Sequence, residues 1–147
     1  MTALLNDNIQ GQVKEALAQM QHPVQILFFG SQENCEYCND TRQLVEEVCA
    51  LSEQLSLSIH DIQSDATLAA EYHVDKTPGL VIAAKDGEQV TDYGIRVAGI
   101  PAGHEFSSLI QDILLVAGRD SGLNEQTREF LRTLTKPVSL KVFVTPT

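Results

Sequence analysis

Apolar and polar positions along this chain change period several times, and these changes divide it into short elements. Near the start, apolar residues recur every three to four positions, the spacing of one helix face: Ile9, Val13, Leu17 and Met20. Polar residues at positions 6–8 supply caps for this helix, and His22-Pro23 ends it. The short β-prone run at 24–29, apolar except for Gln25, then predicts a buried strand.

A second helix is predicted from about Glu36 to Glu53, with its apolar face formed by Leu44, Val45, Val48, Leu51 and Leu55. Alternation at 57–62 predicts a strand. A short helix capped by Ser64 or Asp65 is expected to follow it and to reach Tyr72.

The next stretch carries the signals of a β-hairpin and a closing helix. Residues 80–84 predict a strand, and Asp86-Gly87 is a typical hairpin turn. The partner strand is expected within Asp92–Ala98. The last helix carries apolar residues between 109 and 117, and Gly118 stands at its C-terminal cap.

The predicted order is helix, strand, helix, strand, helix, strand, strand, helix. A βαβ unit followed by a hairpin and a covering helix gives a central mixed sheet of about four strands with helices on both faces. This α/β arrangement resembles the thioredoxin-like fold with an extra N-terminal helix. We assign it to residues 1–118.

The remaining residues, 119–147, predict a linker helix and the first strand of a truncated second unit of the same kind. Residues 121–147 resemble residues 7–33 at a constant offset of 114, including Pro137-Val138 in place of Pro23-Val24. The alternative is that any amphipathic helix followed by a strand produces such a match. An exposed strand at Val138–Val144 is expected to favour pairing with a neighbouring molecule, and so a dimer.

Charge and composition narrow the choice of partners and compartment. The formal net charge of -10 argues against nucleic acid or an anionic membrane as a partner, because both attract basic surfaces. No apolar run approaches the ~20 residues of a membrane span. The N-terminus lacks a secretion signal, so a cytoplasmic location is expected. In that compartment a close cysteine pair is more often redox-active or metal-binding than structural.

Cys35 and Cys38 are the candidate reactive residues, with Glu36 and Tyr37 between them. A cysteine just before a helix is stabilised as a thiolate by free backbone N–H groups and the helix dipole. Cys35 is therefore expected to be the nucleophile and Cys38 the resolving thiol. The charge of Glu36 opposes thiolate formation, whereas Tyr37 is expected to tune access and packing.

Other uses of this pair remain open at this point. A zinc site needs further ligands, and the four histidines are scattered, so neither a metal nor a cofactor beyond the Cys35–Cys38 disulfide is expected. A zinc or iron–sulfur centre shared across a dimer remains an alternative. Cys49 lies on the apolar helix face, where an inert buried thiol is expected; a third redox participant is the alternative.

Three segments together carry a family resemblance: CEYC at 35–38, DKTPG at 75–79, and YGIRVAGIPAGHEFSSLIQDIL at 93–114. They resemble the protein disulfide oxidoreductases of archaea and some bacteria, also called glutaredoxin-like domain proteins, which contain two tandem thioredoxin-fold units. The resemblance implies exchange with protein dithiols and disulfides. It also implies that Thr77 and Pro78 form a substrate-facing turn with a cis proline beside the disulfide, and that Glu36 and Tyr37 contact substrate. A thioredoxin-reductase-like electron donor is a further expectation.

Two rival functions accompany this resemblance. The chain is also similar to the N-terminal region of the alkyl hydroperoxide reductase flavoprotein, an electron-relay region, notably at residues 103–106. Cys35 and Cys38 argue against that assignment, since the first unit of that region lacks a working pair. The other rival is a redox-weak docking half of a two-unit enzyme. Glutathione binding is not expected, because residues 98–103 lack the pattern of glutathione-binding glutaredoxins.

Overall fold

A computed structural model describes residues 2–145. In this part of the chain it comprises five helices and four strands. The helices are α1 Asp7–Leu17, α2 Cys38–Cys49, α3 Ala66–Glu71, α4 His104–Ala117 and α5 Glu125–Arg132. The strands are β1 Val24–Gly30, β2 Leu55–Asp61, β3 Gly79–Asp86 and β4 Gln89–Ala98.

The strands within residues 2–145 form one mixed sheet in the order β2-β1-β3-β4. β2 runs parallel to β1, whereas β3 is antiparallel to both β1 and β4. Every residue of β1 is buried, as expected of a central strand covered on both faces. The predicted α/β fold, with an extra N-terminal helix, is confirmed.

Alternation along the central strands divides the core into two layers. Val24, Ile26 and Phe28 of β1 face the larger layer, which they share with apolar residues of α1, α2 and α4. Leu27 and Phe29 face the opposite way and pack with Ala69 of α3. Because successive strand residues point to opposite faces, one apolar strand supplies both layers.

Most predicted elements are present, with shifted ends. Asn6 caps α1 by accepting a hydrogen bond from the Ile9 amide (2.9 Å). The Asp86-Gly87 hairpin is also present, with Asp86 paired to Gln89. However, α2 begins at Cys38 and ends at Cys49, so the predicted bounds of Glu36 and Glu53 were too wide. Ser52 instead bonds back to the Cys49 carbonyl in a turn.

Arg119 joins three elements at the end of the sheet where β1 begins. Its guanidinium donates to the carbonyls of Pro23 (3.0 Å), Lys85 (3.2 Å) and Val116 (2.6 Å). It also pairs with Asp86 at 3.0 Å. The last turn of α4 is thereby tied to the start of β1 and the end of β3.

Beyond α4, the described chain continues as α5 and then as an exposed segment. No strand is assigned to residues 138–145, so the strand predicted for this segment is not formed in the described structure. A strand requires a hydrogen-bonded partner, and this segment pairs with no other described segment. Its side chains are exposed, with Leu140 at 86% and Phe143 at 90%. The assignment of residues 119–147 to a second unit stays a prediction.

Candidate active site

The two candidate cysteines lie at the carboxyl end of β1 and form a disulfide. β1 ends at Gly30, and α2 begins at Cys38. The Cα atoms of Cys35 and Cys38 are 5.4 Å apart. Tyr37 is the N-cap residue of α2 and makes no capping hydrogen bond with its side chain. The pair therefore lies at the helix N-terminus, where backbone N–H groups favour negative charge on sulfur.

The two sulfur-bearing residues differ in exposure. Cys38 is buried, at 6% exposed, whereas Cys35 is only partly buried. The Ser31 amide donates to the Cys38 Sγ at 3.4 Å. Both observations fit Cys35 as the sulfur that a substrate reaches first and Cys38 as the inner sulfur.

Local hydrogen bonds shape the loop that precedes the pair. The Ser31 hydroxyl donates to the Glu33 carbonyl (2.8 Å) and accepts from the Glu33 amide (3.1 Å). Asn34 has φ +53°, a left-handed conformation that asparagine tolerates better than most residues. This loop therefore turns the chain from β1 toward Cys35 without a glycine at the turn.

Gly30 brings the end of β1 close to the disulfide. A Cβ atom at this position would lie 2.8 Å from the buried Phe28 ring and 3.6 Å from the Cys38 Sγ. A side chain there would displace a core aromatic ring next to the inner sulfur. The requirement for glycine is thus one of space.

Thr77 and Pro78 lie at the same edge of the sheet as the cysteines. Gly79 pairs with Phe29 in the antiparallel register of β1 and β3, which places Pro78 beside the end of β1. The Thr77–Pro78 peptide bond is cis, and Pro78 is buried. The Pro78 carbonyl accepts from the Gly99 amide at 2.9 Å, so the turn is held against the end of β4.

Glu36 and Tyr37 are the exposed residues of the motif. Tyr37 is 49% exposed, and Glu36 is exposed as well. Neither belongs to the described core, and both are free to meet a molecule that approaches Cys35.

An open cleft of about 470 Å³ lies beside the disulfide. It is lined by both cysteines and also by His60, Asp61 and Asp65, from the end of β2 and the turn after it. None of these three residues was predicted as part of the site, although Asp65 was expected as a candidate helix cap. The signal was available, because the parallel strands β1 and β2 end at the same edge of the sheet.

Asp61 and Asp65 form an acidic wall of this cleft, and polar contacts hold this wall and the neighbouring His60 in place. The His60 Nε2 lies 2.9 Å from the Ser58 hydroxyl, and the imidazole stacks on Phe29 with ring centres 5.1 Å apart. The amides of Ser64 and Gln63 donate to Asp61 and lower the pKa of its carboxyl. Asp61 therefore adds negative charge to the cleft at neutral pH.

Cys49 lies at the other end of α2, 11 residues and thus about 16 Å of helix rise from Cys38. It forms no disulfide. Burial and the charge of Glu46 raise the pKa of its thiol to about 12. The thiol is neutral at physiological pH and too remote for direct exchange with the pair, which agrees with the inert thiol expected from the sequence.

Two absences within residues 2–145 complete the description. No group of three or more His, Cys, Asp or Glu side chains there is arranged to hold a metal ion. No helix in the same range has the length and apolar character needed to cross a bilayer.

The site is a disulfide between a central strand and a helix N-terminus, flanked by a cis proline turn. In this fold, these features define a thioredoxin-like oxidoreductase with a redox-active disulfide. The chain belongs to the thioredoxin domain family, whose pattern matches residues 22–111.

Among solved structures, a protein disulfide oxidoreductase from Aeropyrum pernix K1 is 30% identical, with a TM-score of 0.74. The match covers 88% of this chain and 55% of that one. The N-terminal domain of the alkyl hydroperoxide reductase AhpF from Enterococcus faecalis has a TM-score of 0.77 at 21% identity, which shows the fold alone. That match covers 90% of this chain and 62% of the other.

Among curated proteins, the corresponding alkyl hydroperoxide reductase AhpF from Staphylococcus aureus strain Mu50 is 28% identical over 144 residues. This match covers 98% of the chain but 25% of the relative. The chain thus spans about a quarter of the length of the curated relatives it matches. The resemblance predicted from the sequence, to protein disulfide oxidoreductases and to the N-terminal region of the alkyl hydroperoxide reductase flavoprotein, is confirmed.

Proposed function

We propose that this chain catalyses thiol–disulfide exchange with protein disulfides through Cys35 and Cys38. The observation that carries the proposal is the disulfide at the N-terminus of α2, with one partly exposed and one buried cysteine. The similarity to a protein disulfide oxidoreductase supports the same substrate class.

The reduced pair would act in two steps. The Cys35 thiolate attacks a substrate disulfide, forms a mixed disulfide and releases one substrate thiolate. The Cys38 thiolate then attacks the Cys35 sulfur, which closes the Cys35–Cys38 bond and releases the second substrate thiolate. Two electrons pass from the pair to the substrate, and the two protons lost by the cysteines balance those gained by the substrate thiols.

The substrate chain would bind along the turn at Thr77 and Pro78. This turn lies beside the end of β1. Its proline has no N–H group, so it does not compete with neighbouring backbone donors for a substrate carbonyl. The exposed Glu36 and Tyr37 would contact the substrate on the other side of the pair. An extended peptide would then add to the edge formed by the turn, as in strand-addition recognition.

A direct experiment is insulin reduction by the purified chain. We expect Cys35→Ser to reduce the rate to background, because the mixed disulfide cannot form. Cys49→Ser provides the matched control and should retain the rate of the unaltered protein, since Cys49 lies far from the pair. Equal activity of Cys35→Ser and the unaltered chain would disprove the proposal.

A second candidate is an electron relay inside a larger reductase, as suggested by the match to the alkyl hydroperoxide reductase AhpF over 98% of the chain. In that role the pair would take electrons from a flavoprotein of the thioredoxin-reductase type. Rapid reduction of Cys35–Cys38 by such a protein, together with no activity on insulin, would favour the relay. We propose the cytoplasm as the compartment for either role, because a pair that cycles needs a reducing supply.

Residues 119–145 enter the proposal as the start of a second unit. The similarity of residues 121–147 to residues 7–33 supports this reading. Asn124 caps α5 by accepting from the Thr127 amide (2.8 Å), but α5 begins at Glu125, four positions later than an offset of 114 from Asp7 would place it. Strand formation at Val138–Val144 would require partner strands beyond those described here.

A further inference from the structure

One buried hydroxyl has no hydrogen-bond partner. Among buried side-chain nitrogen and oxygen atoms of residues 2–145, this is true only of the Thr41 Oγ1. Thr41 is 0% exposed. An unpaired buried hydroxyl has lost its bonds to water without gaining others, so an orphan of this kind calls for an explanation.

The position of Thr41 relates this hydroxyl to the disulfide. Thr41 lies on α2 three residues after Cys38, and both side chains are buried. Residues three apart share a helix face, and helical side chains lean toward the N-terminus. The Thr41 side chain therefore leans over the turn that carries the inner sulfur.

The usual local partner of a helical threonine is already in use. The Thr41 amide donates to the Tyr37 carbonyl at 2.9 Å, which is the ordinary helical bond. The hydroxyl makes no bond of its own to that carbonyl. A partner is thus missing in the disulfide state, and the sulfur of Cys38 lies one turn toward the N-terminus on the same buried helix face.

We propose that Thr41 is a positioning residue for Cys38, its hydroxyl pairing with the Cys38 sulfur when the Cys35–Cys38 bond is reduced. This inference rests on the proposed exchange at the pair. In the disulfide, the Cys38 sulfur is bonded to Cys35 and receives the Ser31 amide. A neutral disulfide sulfur is a weak acceptor, so the hydroxyl gains little from it.

Reduction changes what the sulfur offers. Two electrons from the donor dithiol break the Cys35–Cys38 bond, and two protons bring the pair to the dithiol. The freed Cys38 sulfur turns about its Cα–Cβ bond, and as a thiol or thiolate it donates or accepts more strongly than before. The Thr41 hydroxyl would accept from the thiol or donate to the thiolate. It would therefore stabilise the reduced form and the attacking form of the resolving cysteine.

Thr41→Val tests this role because valine keeps the shape and removes the hydroxyl. We expect the variant to shift the equilibrium of the pair with a glutathione redox buffer about tenfold toward the disulfide, which is about 30 mV in reduction potential. Both effects of the substitution favour the disulfide. The reduced form loses the hydrogen bond between Thr41 and Cys38, and the disulfide form no longer buries an unpaired hydroxyl. Thr41→Ser keeps the hydroxyl and should restore the original potential.

Thr91→Val is the matched control, because Thr91 is a partly buried threonine on β4, outside the residues that line the cleft. It should leave the potential unchanged. A second readout is the pH dependence of Cys38 alkylation in a Cys35→Ser background. There, adding Thr41→Val should raise the pKa of Cys38 and slow its modification at neutral pH.

The outcomes separate the two proposals. If Thr41→Val has the potential of the unaltered protein, the role of Thr41 is disproved while exchange at the pair stands. A pair that does not equilibrate with glutathione in the unaltered protein would count against the proposed function itself. Thr41→Ala serves if the valine variant does not fold, and an unchanged potential in it would be equally decisive.

Discussion

At the scale of single residues, two cysteines on the same helix illustrate how position controls thiol chemistry. Cys38 begins α2 and Cys49 ends it. The helix N-terminus favours thiolate, whereas burial and the charge of Glu46 raise the pKa of Cys49 to about 12. The same residue type is thus placed where thiolate is favoured at one end and where the thiol stays neutral at the other.

We predict that iodoacetamide at pH 8 modifies Cys35 of the reduced protein and leaves Cys49 unmodified over the same time. A thiol with a pKa of about 12 is ionised to only about one part in ten thousand at pH 8. Mass spectrometry of the peptides would measure both sites. The control is the unfolded protein in guanidinium, where Cys49 should become reactive. Equal labelling of the two residues in the native protein would contradict the assignment.

At the scale of elements, the N-terminal segment is anchored to α2 by one carboxylate. Glu47 accepts hydrogen bonds from the amides of Leu4 (2.9 Å) and Leu5 (2.9 Å). Desolvation raises the pKa of Glu47, but bonds from the Gln43 side chain and these two amides outweigh it and lower the pKa below the ordinary value of 4.5. The anchor holds Leu5, 5% exposed, in the core ahead of α1.

Glu47→Gln is predicted to reduce the free energy of unfolding by about 1 kcal/mol at pH 7. Because the folded-state pKa is depressed, the carboxylate stabilises the protein fully above the unfolded-state value near 4.5, and this contribution disappears as the pH falls through the folded-state value. Urea unfolding at pH 7 and at successively lower pH would show a difference between variant and unaltered protein that is largest at pH 7 and shrinks as the pH falls below 4.5. Glu53→Gln, in the exposed turn after α2, is the control; a difference that does not shrink as the Glu47 carboxyl is protonated would refute the anchor.

The order of elements was predictable because burial leaves a clear period in the sequence. The run at 24–29 indicated the central strand, and Asp86-Gly87 indicated the hairpin. Element ends were harder, since the predicted start of α2 at Glu36 ignored the turn that carries Cys35 to Tyr37. The acidic wall formed by Asp61 and Asp65 depends on pairing between strands 31 positions apart, as for Val24 and Leu55. No local pattern shows this wall, and it follows only when the predicted βαβ order is used to align the ends of the two parallel strands.

At the scale of the whole molecule, the apolar segment after α5 is exposed and does not pack into the described core. Val138, Leu140, Val142 and Val144 alternate with other residues, so in an extended strand they would share one face. All four are at least 69% exposed. Such a row favours pairing with another chain.

We predict that the chain self-associates through this segment, with the sedimentation coefficient rising with protein concentration. Leu140→Lys should abolish the association, because it places a charge within the aliphatic row. Ser139→Lys adds the same charge on the opposite side of the strand and should have a smaller effect. Sedimentation velocity of all three proteins would test this, and a single monomeric species at every concentration would disprove it.

The bonds of Arg119 also determine how the molecule can be held. They fix the end of α4 against Pro23, where β1 begins, whereas the disulfide lies past Gly30, where β1 ends. Seven strand residues separate these points, or about 20 Å. A protein attached to a surface or label near Ser121 would therefore be held at the end of the sheet where β1 begins. The dithiol would then face the solution at the opposite end of the sheet.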